Sequence, residues 1–249
     1  MPALYGAARL RANERMNDFA EAFQTAGRLI IERDPVLIAI VLLSLRVSLS
    51  AVALAALVGL PLGALLALAR FPGRAGVLVI LNACMGFPPV IAGLVLYLLL
   101  SRAGPLGGWG LLFTPTAMVI AQCGLVTPII AAITRQLIED LWAEHREQLK
   151  SLGAGRLRAA ATLLWDARLS LGTAILAGFG RASAEVGAVI IVGGNISGVT
   201  RTMTTAIALE TSKGDLSLAL ALGLVLLTLA LSVNSAAEIA GGALRRSAG

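Results

Sequence analysis

Apolar residues fall in five long blocks along this 249-residue chain, separated by short stretches where the charges collect. Each block reaches or exceeds the roughly 20 apolar residues needed to cross a bilayer core. The pattern predicts spans at about Leu42–Ala69, Gly76–Leu100, Leu111–Ile133, Leu169–Val192 and Leu216–Ile239. Val36–Val41 precedes the first and reads as interfacial or as the start of a tilted helix. Ahead of it, Phe19, Phe23, Leu29 and Ile30, with Ala20 and Ala26, recur near helical spacing among Asp18, Glu21, Gln24 and Arg28. That predicts an amphipathic helix over Asn17–Ile31, lying on the membrane surface and ended by Pro35. Residues 1–35 thus form an N-terminal segment, 42–240 one helical membrane domain, and 241–249 a tail.

Composition agrees with the pattern. Hydrophobic residues make up 57% of the chain and charged residues only 14%, where a globular chain carries about a quarter charged. A soluble core of this length cannot hide so much apolar surface, and disorder needs the opposite balance. Two cysteines, Cys84 and Cys123, give no disulfide framework, and both read as small core residues within spans. The fold class is therefore an all-α membrane protein with about five transmembrane helices.

Charge sets the orientation. The formal net charge is +6, with no basic run interleaved with aromatics, which argues against nucleic acid as a partner. Arg70, Arg74, Arg135, Arg146, Lys150, Arg156, Arg158, Arg168, Arg245 and Arg246 follow spans one, three and five. Only Arg102, Arg201 and Lys213 follow spans two and four. Cytoplasmic loops carry the excess of Lys and Arg, so the C-terminus is expected in the cytoplasm and the N-terminus outside. Arg9, Arg11 and Arg15 oppose that assignment; translation from Met16 would remove them, an expectation that mass spectrometry of the N-terminal peptide decides.

The stretch from about Thr134 to Arg168 is far longer than a tether requires. Leu137, Leu141, Leu149 and Leu152 stand at helical spacings, Gly153-Ala154-Gly155 breaks the pattern, and a second helix begins at Leu157. Two short helices meeting at a glycine turn make a rigid cytoplasmic knob, suited to docking rather than catalysis. Here the residues resemble the permease signature of ATP-binding-cassette importers: EAA, three residues, G, nine residues, I, one residue, LP. Glu147, Gly153 and Leu163 fall at the acidic, glycine and Ile positions. Gln148-Leu149 replaces the alanines and Trp165-Asp166 replaces Leu-Pro, while the core Leu152-Gly153-Ala154 keeps its place.

The likeness extends over roughly Leu42 to Ala240. It is strongest to tungstate-type permeases, relatives of the molybdate and sulfate ones, through NACMGFPPVIAGLVLYLLLSRAGPLG and GFGRASAEVGAVIIVGGNISGVTRTMTTAIALETSKGD. The resemblance implies a homodimer of permeases in the plasma (inner) membrane, two cytoplasmic ATPases and an extracytoplasmic oxyanion-binding protein. It also implies that Glu147, Leu152, Gly153, Ala154 and Arg156 couple ATPase motion to alternating access. This chain has no G-x-x-x-x-G-K-[ST] phosphate loop, so it is expected to hold no cofactor, with ATP on the partner subunit.

Inside the membrane, Arg181 and Glu185 stand at i and i+4 in span four, on one helix face. A lone charge that deep costs at least about 2.5–3.5 kcal/mol, so the two brace or gate the fold, or they line a wet pathway. Arg46 reads as snorkelling near the outer end of span one. Gly86-Phe87-Pro88-Pro89 and Gly124/Pro128 mark broken helices that line a pathway or pack closely. Gly59 and Gly63 have G-x-x-x-G packing spacing. Gly193–Asp215 reads as an external segment with a turn at Gly193-Gly194-Asn195, where Asn195 is a candidate pathway or gate residue, and a short surface helix. There Thr200, Thr202, Thr204, Thr205 and Thr211 either meet an oxyanion or binding protein or simply face water. His145, the only histidine, reads as solvated, and no catalytic or metal cluster is evident. An ion-coupled secondary transporter using Arg181 and Glu185 as a proton-linked pair is the rival reading; a membrane transferase or hydrolase is a weaker one.

Overall fold

The computed structural model describes residues 22–247, and within them the chain is helical, with no strand. A first helix, α1, covers residues 22–31. Then come α2 (Pro35–Leu68), α3 (Arg74–Met85), α4 (Pro89–Leu100), α5 (Pro115–Ser151), α6 (Arg156–Asp166), α7 (Arg168–Ser183), α8 (Gly187–Gly193), α9 (Met203–Lys213) and α10 (Leu216–Ser247). Three helices, α2, α5 and α10, are each long and apolar enough to cross a membrane. The two remaining spans are bent pairs: α3 and α4 meet at 99°, and α7 and α8 at 59°. Five crossings result only if each bent pair counts as one: the break expected at Gly86-Phe87-Pro88-Pro89 is there, whereas the continuous span expected at Leu169–Val192 is corrected to a broken one.

The start of α2 is fixed locally. Asp34 Oδ1 accepts hydrogen bonds from the Val36 and Leu37 amides, both at 2.9 Å, and Pro35 takes the first helical position, where its missing N–H costs nothing. Val36–Val41 therefore belongs to one 34-residue helix, about 51 Å long, well beyond a bilayer core of roughly 30 Å. Arg46 stands a third of the way along it, exposed, rather than near its end. Of the predicted surface helix, residues 17–21 lie outside the described residues, as do the N-terminal arginines and Met16. The rest, α1, is docked on the protein: Ala26 is buried, and Leu29 and Ile30 pack with Leu37, Ile40, Met203 and Leu222.

Helices α2 and α5 form the spine, and glycine lets them touch. A Cβ on Gly63 would lie 2.4 Å from the Ala131 carbonyl oxygen, and one on Gly59 would lie 3.1 Å from Ile130. The G-x-x-x-G spacing is thus a crossing point, as small residues permit between membrane helices. The breaks have different origins. At Gly86-Phe87-Pro88 two prolines lack amide donors, and Phe87, preceding Pro88, is steered out of helical backbone. At Ala184-Glu185-Val186 no proline intervenes, and the turn rests on tertiary contacts described below.

The spine's other end forms the hairpin. Helix α5 does not stop at the membrane boundary but continues for 37 residues to Ser151. The first knob helix is therefore the tail of the third span rather than a short helix of its own. Helix α6 folds back, burying Ala159, Ala160 and Leu163 against Ala64, Leu68, Ile138 and Leu171. Both cysteines are half-buried, against the expectation of core positions.

Candidate functional site

The hairpin turn is built by a helix cap. The Gly153 amide donates to the Lys150 carbonyl and the Ala154 amide to the Leu149 carbonyl, each at 3.0 Å. Gly153 sits at φ +68. This pair of reversed bonds is a Schellman closure, which needs a left-handed residue that glycine supplies without a Cβ penalty. The outcome is a projecting apex. Leu152 is 81% exposed and Leu157 75%. Glu147 and Arg156 are exposed on either side, and Ala154 is half-buried. The five residues singled out in this loop are therefore gathered at one tip. Apolar side chains on an otherwise charged protrusion have the character of a docking surface.

A polar lattice occupies the α7–α8 break. Arg181 Nη1 donates to Glu185 Oε2 at 2.6 Å. Helix α7 has already ended at Ser183, so the pair meets across the break and not along one continuous helix. Glu185 is only 4% exposed, and its other oxygen, Oε1, accepts from the Ala188 amide at 3.0 Å. It thereby caps α8, whose first-turn amides would otherwise lack partners. Its backbone carbonyl accepts from Thr204 Oγ1 at 2.9 Å. From α5, Gln122 Nε2 donates to the Ala182 carbonyl at 3.0 Å. Helix α4 closes the other side: a Cβ on Gly93 would stand 2.7 Å from Ala188 Cα.

Gly86, Pro88 and Pro89 are not part of this lattice. Cys84 and Phe87, beside them, instead line an apolar groove of about 340 Å³ shared with Gly124 and Pro128 of α5. The break expected at Gly124/Pro128 is corrected: α5 runs on through both residues, yet they border the same space as the true break between α3 and α4.

The segment after α8 departs from expectation. Helix α9 is inserted rather than laid on the surface: Met203, Thr204, Thr205, Ala206 and Glu210 are buried, and the Met203 amide donates to Ser44 Oγ of α2 at 2.7 Å. Its threonines are consumed internally. Thr200 Oγ1 donates to the Gly193 carbonyl, Thr202 and Thr205 close a capping box, and Thr204 holds Glu185. Of the five threonines, Thr211 alone is exposed. Asn195 adopts a left-handed backbone (φ 49) and donates from Nδ2 to the Thr205 carbonyl at 3.2 Å, which ties the turn to α9.

Sequence reasoning missed a cluster beside the hairpin and the pairing of buried Glu210 with Arg201 and Lys213. Glu139 on α5 receives Arg135 at 2.5 Å and also Arg74 of α3, while Arg74 Nε donates to the Leu66 carbonyl at 3.1 Å. Three helices are thus joined beside the hairpin. The i, i+4 spacing of Arg135 and Glu139 was a readable signal; Arg74, 65 residues away from Glu139, was not. His145 is half-buried, with Nδ1 3.1 Å from the Leu141 carbonyl. No metal-binding group of His, Cys, Asp or Glu occurs among the described residues.

Known proteins share this architecture in sequence. Residues 59–246 match the family model described as binding-protein-dependent transport system inner membrane component. The tungstate uptake system permease protein TupB of Peptoclostridium acidaminophilum is 42% identical over 200 residues, covering 80% of this chain and 88% of the relative. A probable anion ABC transporter permease protein of Haloferax volcanii is 41% identical over 204 residues, with the same coverages. At greater distance, the molybdenum transport system permease protein ModB of Escherichia coli K12 is 32% identical over 181 residues, 67% of this chain and 76% of the relative. With a family match over most of its length and relatives that align over 80% of it, the chain belongs to the multi-pass inner-membrane permeases of binding-protein-dependent ATP-binding-cassette importers.

Proposed function

We propose that this chain is the membrane-spanning subunit of an ATP-driven uptake system for tungstate. The observation that carries the reading is the 42% identity, over most of both chains, to a tungstate uptake permease. The hairpin supplies the mechanical part. Leu152, Gly153 and Ala154 at the tip, flanked by Glu147 and Arg156, dock into a cytoplasmic ATPase. The long continuous α5 then carries ATPase closure into the membrane. The hairpin end faces the cytoplasm with the C-terminus, and the N-terminus lies outside. Two copies of the chain form the pathway, each docked to one ATPase, and an oxyanion-binding protein delivers substrate at the end opposite the hairpin. ATP binds only on the partner subunits, and this chain holds no cofactor of its own.

Within each copy, Gly86, Pro88 and Pro89 with their shared groove face the pathway. Arg181 and Glu185 brace the second break, because both carboxylate oxygens of Glu185 are already engaged. The test is uptake in cells that lack their own tungstate import, supplied with this permease, its ATPase and its binding protein. Tungstate accumulation should require all three and should vanish when the ATPase cannot hydrolyse ATP. Leu152→Asp should abolish accumulation while leaving the permease folded. Gradient-driven tungstate transport by this chain alone in liposomes would overturn the reading.

A further inference from the structure

Between α2 and α7 lies an apolar groove of about 460 Å³, walled by Ala53, Leu57, Pro61, Leu164 and Ile175, with Arg168 among its lining residues. The wall residues of α2 and α7 belong to helices of the membrane domain, and the lining of the groove is mostly apolar. Its hairpin end is different. Arg168 is the first residue of α7; its Nη1 donates to the Trp165 carbonyl at 2.8 Å, and its guanidinium lies 4.8 Å from the centre of the Trp165 ring. Among the described residues no carboxylate comes within ion-pair distance of it.

This cation is placed against local electrostatics. The N-terminus of a helix carries partial positive charge and favours anions, and α7 has no side-chain cap there. An exposed guanidinium and an uncapped helix start therefore converge, and the neighbouring Asp166 carboxylate neither pairs with Arg168 nor caps the helix. Below them lies an apolar channel, and beside them a tryptophan of the kind that sits at headgroup level.

We propose that this groove seats an anionic phospholipid, with an acyl chain along α2 and α7 and its phosphate at Arg168 and the first turn of α7. Basic pockets between membrane helices on the cytoplasmic side hold anionic headgroups in this way. Because Leu164 of α6 forms part of the wall, the bound lipid braces the helix that returns from the hairpin tip. That functional consequence rests on the hairpin being the ATPase-docking element; the lipid site itself does not.

The experiment is lipid retention by the purified permease, read by native mass spectrometry after equilibration with mixed phosphatidylglycerol and phosphatidylcholine. The wild type should retain phosphatidylglycerol in preference. Arg168→Gln should lower that preference about fivefold, the usual worth of one cation at an anionic surface, and Arg168→Lys should keep most of it. Ala53→Trp, at an exposed position of α2, fills the groove without touching the cation and should reduce retention of both lipids. Equal retention of the two lipids by the wild type, or unchanged preference in Arg168→Gln, would overturn the proposal. If Arg168→Gln does not fold, unaltered retention by Ala53→Trp overturns it instead. Retention is read on the permease alone, so a failed ATPase-docking experiment leaves this result intact, and equal retention of the two lipids by a wild type that still copurifies with its ATPase sinks the lipid site only.

Discussion

The two broken spans solve one problem by opposite means. At Gly86-Phe87-Pro88, between α3 and α4, the chain turns through 99° with no side-chain cap on the new helix and with Gly86, Phe87 and Pro88 all exposed. The break is covalent in origin, because prolines have no amide to leave unpaired. At Ala184-Glu185-Val186, between α7 and α8, the turn is shallower at 59°, and three of its backbone groups are met by side chains: Gln122 from α5, Thr204 from α9 and the Glu185 carboxylate itself. A break written into the chain keeps its shape when its neighbours move. One held by distant side chains holds only while those neighbours stay, so the second span is the one whose bend can respond to a shift of α5 or α9.

That contrast is open to measurement as thermal stability in detergent. Glu185→Ala should cost most, about 3 kcal/mol, at the lower edge for removing one partner of a buried ion pair because Arg181 keeps some access to its surroundings. A variant with wild-type stability and no uptake would instead make Glu185 a pathway group. Gly93→Val should cost about 1–3 kcal/mol by overpacking, since its Cβ would press on the backbone of Ala188; an unchanged melting temperature would show that α4 and α8 are not held together here. Gln122→Met should cost about 1 kcal/mol, the net worth of one hydrogen bond. Its amide oxygen has no partner to lose, and a larger loss would reveal a wider network around it. Pro88→Ala should change stability least, within about 0.5 kcal/mol as for exposed positions. If it matches Glu185→Ala, the first break is under tertiary control after all.

What could be read in advance divides along the same line. The apolar blocks, the α3–α4 break, the Gly59/Gly63 crossing and the turn at Gly153 were all legible, because each depends on residues adjacent in sequence or on a fixed helical spacing. The α7–α8 break was not: Gly187 was its only local mark, while its supports come from Gln122, more than 60 residues earlier, and Thr204, 19 residues later. The passage of α5 into the hairpin was also hidden. Charges beginning at Arg135 signalled the end of a span, yet nothing there stops a helix, and the 3.6-residue periodicity runs on. The threonines of 200–205 looked available because hydroxyls are polar; the fold spends them on caps and on α9's insertion. Of the candidate site, the hairpin tip was legible as a unit, whereas the lattice around Glu185 was visible only as an isolated pair.

The unbroken run of α5 makes it a lever with a fulcrum. Ala131, where Gly63 meets it, lies 20 residues from Ser151 at the hairpin and nine from Gln122 at the break. By helical rise these arms are roughly 30 Å and 13 Å. A sideways push at the tip would reach Gln122 reversed in direction and at somewhat less than half its size. An ångström-scale displacement there is enough to lengthen a 3.0 Å hydrogen bond to Ala182 beyond reach, so a broad movement outside the membrane becomes a fine, inverted adjustment at the bend within it.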